Sequence, residues 1–326
     1  MLAPTVVGPR AELSQIALGR IASTAGFVLP RVLPIVPAPA KVIRYFKLAK
    51  GAMLGAPDPR RAPGAGYQRN NLSIEDDTAT IEGKGLEGQV PDEQAAEYAD
   101  VLNLEQSRTD QKVMEIMRRE DKDLLDTVFS RTTFPLATAT GHDCSIPWDT
   151  HATALPVDDI LKGALQIRNN IGDFKLLGLQ LCLLTPNYVR RHLALCAQVR
   201  TGLGGVYTRP DFAASNIPDQ LLAQALGVDE IIVAGEQYMS GGSQISPTMS
   251  NLADEDYSLL FVRTDPNAPE LAGLGVTFVW DGFGGELSVR TYREDSTSSG
   301  IVQVNRSSVQ KIVQTGAGYL IGNNKA

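Results

Sequence analysis

Cysteine is scarce in this 326-residue chain, and the three present, Cys144, Cys182 and Cys196, stand far apart with no CxxC among them. An odd, widely spaced set excludes a disulfide framework and a zinc ribbon, so reduced thiols are expected. Long apolar runs are lacking too: the best stretch, Phe27 to Ala40, is broken by Pro30, Pro34, Pro37 and Pro39 and cannot span a bilayer. A basic start followed by an uninterrupted apolar core is also missing, which argues against a secretory signal and makes the cytosol the expected place of synthesis and use. There is no GxSxG elbow and no HExxH helix. The glycine-rich loops at 202–205 and 282–285 lack the lysine and Ser/Thr of a phosphate-binding loop and read as turns. No catalytic constellation assembles from the sequence, so no enzyme activity and no cofactor are expected.

What is present is an uneven charge distribution. The net charge of −7 divides into +8 over residues 1–69 and −15 over the remainder, with residues 70–126 alone carrying −10. A basic arm thus precedes an acidic body, and the arm's expected partner is the acidic stretch on another copy of the chain. Its basic residues are spaced singly among Pro, Ala and Val, which is too sparse for a nucleic-acid patch. Val28, Leu29, Val32, Leu33, Ile35 and Val36 make the arm too rich in large aliphatics for a disordered tail, so docking is expected.

Residues 67–90 read as a thin, glycine-studded hairpin with Leu72, Ile74, Ala79, Ile81, Leu86 and Val90 as its apolar positions. A ribbon of this kind is marginal alone and would be stabilised by lying on a neighbouring subunit. A long helix follows, starting at the capping pair Asn103 and Gln106 and running to about Ser130, with Val113, Ile116, Met117, Leu124, Val128 and Phe129 inward. Arg108, Lys112, Arg118, Arg119, Glu120 and Lys122 form its expected wet face. Further helices are predicted at 155–167, with Asp158 and Asp159 at its start and Val157, Ile160, Leu161, Ala164 and Leu165 on one inward face, from Thr185 and Pro186 onward, and at 219–226 with Gly227 as the stop. Strands are predicted at 176–184, 231–234, 257–262, 275–280, 287–292, 301–304 and 309–313.

His142, Asp143, Cys144 and His151 are the nearest approach to a ligand cluster, although their spacing fits no zinc or protease pattern. His192 and Cys196, one helical turn apart, share a face with Tyr188, Val189 and Leu193 and read as packing.

The order of these parts resembles the tailed-bacteriophage major capsid proteins of the Hong Kong phage type, a fold shared with encapsulin shells. The segments that carry the resemblance are Arg60 to Tyr67 (RRAPGAGY), Leu72-Ser73-Ile74 with Val90-Pro91-Asp92-Glu93, Met117-Arg118-Arg119-Glu120, Thr185-Pro186-Asn187 and Gly318-Tyr319-Leu320-Ile321. The resemblance implies an α+β fold with an N-terminal arm (1–64), an extended loop (65–98) and a peripheral domain built on the long spine helix (99–183). An axial domain (184–274) and C-terminal peripheral strands (275–326) would complete it. It implies assembly into pentameric and hexameric capsomers of an icosahedral shell enclosing phage DNA, within a virion assembled in the host cytoplasm. Partners would be other copies, portal, scaffold or decoration proteins, and DNA held without sequence recognition. The expected intersubunit contacts are Arg20, Arg31, Lys41, Arg44, Lys47, Leu72, Ile74, Ile81, Lys84 and Leu86. Lys84 lies on the expected loop, but no motif identifies crosslinking partners for it. Some members carry a helical N-terminal scaffolding segment; none is expected here, so assembly would use a separate scaffold or none. On this reading, deleting residues 1–50 should leave a foldable core but impair shell stability. The alternatives are an encapsulin-like compartment and, in a different class, a Cys/His or metal-dependent enzyme around His142, Cys144 and His151.

Overall fold

A computed structural model describes residues 10, 12–17, 26–48, 60, 74–98, 103–175, 178–204, 217–242, 246–267, 273–282 and 286–326. Its longest element is α3, Leu104–Val128, about 37 Å long at the helical rise, which follows the short α2 (Asp92–Glu97). Asn103 caps it as the sequence predicts, its side-chain oxygen accepting a bond from the Gln106 N–H at 3.1 Å. The apolar stripe of α3 serves two sheets in succession. Val113, Ile116 and Met117 pack on one sheet, and Leu124, Leu125, Val128 and Phe129 on the other.

The first sheet contains β1 (Ile35–Ala38), β11 (Gly275–Trp280), β13 (Ser299–Ile312) and β12 (Ser288–Glu294), with β4 (Glu82–Pro91) on the opposite edge of β13. The β1 strand runs parallel to β11, and the other pairings are antiparallel. Two predicted strands, 301–304 and 309–313, prove to be the two ends of β13. The polar run Asn305-Arg306-Ser307-Ser308 reads as a turn in sequence. It stays extended because Arg306 finds a charged partner beneath α3, where Arg306 Nε lies 3.0 Å from Glu120 Oε2 and both side chains are fully buried. Glu120 is therefore removed from the wet face to which the sequence assigns it.

The second sheet runs β5 (Gly141–Asp143), β14 (Gly318–Gly322), β10 (Ser258–Val262), β6 (Leu181–Pro186) and β7 (Glu230–Ala234). Every residue of β6, β10 and β14 is buried, as expected of strands covered on both faces. Leu181 and Leu183 face a layer built from α4 (Pro156–Ile171), α5 (Asn187–Leu195), α6 (Ala197–Leu203) and α7 (Asp219–Leu226). Cys182 and Leu184 face the end of α3 together with Val28, Leu29, Val32 and Leu33. The arm therefore docks as its aliphatic content predicts. It does so within its own subunit, where α1 (Leu29–Val32) is held by Asp121, whose carboxylate accepts the Val28 and Leu29 N–H groups at 2.9 and 2.8 Å. The α4 helix runs four residues past its predicted end, and its Leu161 and Leu165, expected inward, are exposed. Gly227, with φ of 72°, ends α7 where predicted.

The C-terminal strand β14 lies between β5 and β10 and does not join the sheet of β11 to β13, so the C-terminal strands divide between the two sheets. The predicted hairpin at 67–90 is also re-paired. The β3 strand (Ile74–Thr80) pairs antiparallel with β2 (Val42–Leu48) from the arm, whereas β4 pairs with β13. Only Ile81 separates β3 from β4, too short a link for a turn between them. A second ribbon joins β8 (Gln237–Gly242) and β9 (Pro247–Asn251). Among the described residues no helix is long and apolar enough to cross a membrane.

Candidate assembly surfaces and the His142 cluster

The β2 sequence Val-Ile-Arg-Tyr-Phe-Lys-Leu alternates, and the pairing with β3 turns that alternation into two unlike faces. Ile43 and Tyr45 lie on the inner face with Ala79, against a small core of Ala38, Ile81, Val276, Phe278 and Val313. The Tyr45 ring sits 5.7 Å from that of Phe278, and its hydroxyl donates to Asp77 at 2.9 Å. The other face presents Val42, Phe46 and Ile74, which are 62%, 52% and 53% exposed. Three large apolar side chains on one open ribbon face exceed the scattered exposure normal for a soluble surface.

The predicted contact residues separate into distinct groups. Ile74 and Leu86 are exposed and available. Ile81 is 4% exposed and belongs to the subunit's own core. The basic residues find acidic partners within the chain: Arg44 with Asp76 at 2.6 Å, Lys47 with Glu75 at 3.4 Å and Arg31 with Glu230 at 2.7 Å. Lys41 lies over the Trp280 ring, and Lys84 reaches Glu120 and Asp123 at 3.7 and 3.5 Å. The arm does meet the acidic stretch, but in cis, because β2 and β3 are neighbours in one ribbon. Arg20 and Leu72 lie outside the described residues. Val42 and Phe46 escape a sequence reading that treats residues 1–64 as arm, although the alternation of 42–48 is itself a strand signal.

Two further apolar surfaces are open. Leu155, Leu161 and Leu165 lie on or beside α4 at 49%, 51% and 59% exposure. Met239 and Met249 flank a cleft between the β8/β9 ribbon and the Arg118, Arg119 and Lys122 side of α3.

The His142 cluster changes membership in three dimensions. His142 and Cys144 stand at alternate positions of one extended segment, so both point to the same side, toward Asp159 in the first turn of α4. His142 Nε2 lies 3.0 Å from Asp159 Oδ1, and Cys144 Sγ and Trp148 Nε1 donate to Asp159 Oδ2 at 3.2 and 3.1 Å. Burial alone would raise the Asp159 carboxyl, but the bonds from His142, Trp148 and Cys144 outweigh it and hold it below its ordinary value. Burial, then the Asp159 charge, pushes the Cys144 thiol upward, which makes it a poor nucleophile. Asp143 turns outward to Arg131. His151 is elsewhere, its Nε2 2.8 Å from His192 Nδ1, with the His192 ring lowered in pKa by burial and then by His151. The sequence-proposed Cys/His/His grouping is thus not assembled, and Asp159, which completes the cluster, reads in sequence only as a helix-start acid.

No family model matches the chain, and no curated protein matches it. Solved structures do. A phage-related protein from Bordetella bronchiseptica RB50 superposes with a TM-score of 0.71 at 16% identity, over 98% of this chain and 99% of that one. A virus-like particle protein from Pyrococcus furiosus gives 0.54 at 12% identity, over 95% and 97%. The capsid of cyanophage P-SCSP1u gives 0.54 at 9% identity, over 99% and 90%. The chain has the phage major capsid fold. The match runs end to end, so the α+β architecture as a whole, with the long helix α3 and its two sheets, is that of the phage major capsid fold. At these identities the likeness concerns the fold and leaves individual residues to be argued from this structure.

Proposed function

We propose that this protein is a major capsid protein whose copies associate into a closed shell. The observation that carries the reading is the β2/β3 ribbon: one face rests on the subunit's core, and the other presents Val42, Phe46 and Ile74 to whatever lies outside it. Within a capsid fold, the simplest cover for such a face is a neighbouring copy, which also protects the ribbon's unpaired edges. The finer reading is a set of pentameric and hexameric capsomers forming an icosahedral phage head around DNA. Portal and scaffold or decoration proteins would serve as further partners, and assembly would take place in the host cytoplasm. The acidic body suits a container, since it would not adhere to a packaged polyanion. In this reading the protein's work is mechanical and includes no catalytic step.

The test is electron microscopy and sedimentation of the chain expressed alone, beside Phe46→Asp. Closed shells or capsomer rings from the parent, reduced at least tenfold in yield by the substitution with the subunit still soluble, are the expected result. A parent and variant that both remain monomeric would sink the proposal. Shells that co-purify with an enzyme instead of enclosing DNA would replace the phage head with an encapsulin-like compartment.

A further inference from the structure

We propose that His142, Cys144 and Asp159 form a structural zinc site that fastens the edge of the second sheet to α4. One ligand atom from each residue, a nitrogen, a sulfur and an oxygen, lies within 4.8 Å of the other two, and His142 and Cys144 are buried. Mixed nitrogen, sulfur and carboxylate donors are the set that zinc takes. Tetrahedral bonds of about 2.0–2.3 Å set ligand atoms about 3.3–3.5 Å apart. The widest separation therefore closes by about 1 Å while His142 Nε2 and Asp159 Oδ1, now 3.0 Å apart, part slightly, both within reach of side-chain rotation.

Local structure favours a site held in advance. The alternation of an extended strand places His142 and Cys144 side by side, and a helix supplies the carboxylate from the facing layer. Cys144 N–H donates to the Gly322 carbonyl at 2.9 Å and Trp148 N–H to the Asn324 carbonyl at 3.0 Å, so the C-terminal segment fixes both ends of the 144–148 loop. Asn324 Oδ1, 3.7 Å from Cys144 Sγ, ties the same C-terminal segment to the thiol. The Trp148 indole N–H on Asp159 Oδ2 is the kind of outer bond that orients a ligating carboxylate.

The charge and hydrogen-bond balance points the same way. Binding displaces the Cys144 thiol proton to solvent and uses His142 as a neutral imidazole, so one dication meets one thiolate and one carboxylate with no net charge buried. Without an ion, His142 and Cys144 both turn their polar atoms onto the single Asp159 carboxylate, the place where a shared cation would sit. Nothing in this arrangement depends on whether the subunit assembles.

The experiment uses the full-length chain, stripped with a chelator and titrated with zinc and, separately, with cobalt. One metal per chain is expected, together with a thiolate-to-cobalt charge-transfer band and a higher unfolding temperature on zinc addition. Cys144→Ser should abolish the band, and Asp159→Asn should weaken zinc binding at least tenfold. Since either variant could destabilise the subunit, circular dichroism accompanies each, and the parent's zinc-induced thermal shift stands as an independent readout. Absence of stoichiometric binding and of a thermal shift in the parent would overturn the proposal. A cobalt-thiolate band that survives in a folded Cys144→Ser would also overturn it, by placing the metal on another cysteine.

Discussion

Arg306, in the middle of β13, and Glu120, on α3, form an ion pair at 3.0 Å that no solvent reaches. Arg306 Nη1 also lies 3.1 Å from Glu286 Oε1, and the Ser308 hydroxyl donates to Glu120. The spine helix is thus seated on its sheet by charge as well as by Val302 and Val304. A buried pair contributes little beyond a well-packed apolar replacement, but breaking it strands a charge at a cost of about 3–5 kcal/mol. Glu120→Ala should therefore destabilise the unassembled subunit by about that amount, whereas the double change Glu120→Leu with Arg306→Met should recover most of it. Urea unfolding of the three proteins checks this, and a double variant no better than the single one would refute the charge-stranding argument.

That same pair explains two departures between sequence and structure. Glu120 sits among charged neighbours at surface-like spacing, and Asn305-Arg306-Ser307-Ser308 has the composition of a turn, so each residue read locally is polar and wet. Their partnership is a long-range fact that no local periodicity encodes. Elements with a local cause were legible: the Asn103 cap, the Gly227 stop and the uniformly apolar strands of the second sheet. The β2/β3 pairing was not, because each strand is plausible alone and the choice of partner depends on which apolar core, here that around Phe278, can receive Ile43 and Tyr45. The metal-ligand candidates were half legible for the same reason, with His142 and Cys144 visible as neighbours and Asp159 contributed across the fold.

Asp121 gives a pH dependence of defined sign. Burial first, then Glu236 and Glu120, pushes its carboxyl up to about 7, against the pull of the two backbone N–H groups it accepts. Because the folded carboxyl holds its proton more tightly than the unfolded one, its contribution to stability is complete below the ordinary carboxylate range and is lost as pH rises through about 7. Asp121→Asn removes the titration. Unfolding temperatures of parent and variant across that range should diverge, the parent losing ground as pH rises. Parallel curves would show that Asp121 does not titrate there.

Gly163 tests how closely α4 lies on the second sheet. A Cβ at this position would stand 2.8 Å from Tyr319 Cδ1 and 3.1 Å from Leu260 Cδ2, both side chains of fully buried residues. Gly163→Val should cost about 1–3 kcal/mol through overpacking. Leu161→Ala, on the open side of the same helix, should change subunit stability by no more than about 0.5 kcal/mol. Thermal unfolding of the two variants separates the faces of α4, and equal losses would mean that the exposed stripe is packed within the subunit.

Removal of residues 1–50 bears on the expectation of a foldable core without the arm. The deletion takes away β1, which pairs with β11, and β2, which pairs with β3. It also removes Val28, Leu29, Val32 and Leu33, each no more than 2% exposed, from the core shared by α3 and the second sheet. At about 1.5–3 kcal/mol for each fully buried aliphatic side chain, those four alone contribute about 6–12 kcal/mol. That is comparable to the whole stability of a typical domain, about 5–15 kcal/mol. The truncated chain should therefore be insoluble, or soluble only with loss of cooperative unfolding, before any question of assembly arises. Expression of the truncated chain followed by circular dichroism decides the matter. A soluble product that melts cooperatively within a few degrees of the parent would show that the arm serves the shell and not the fold.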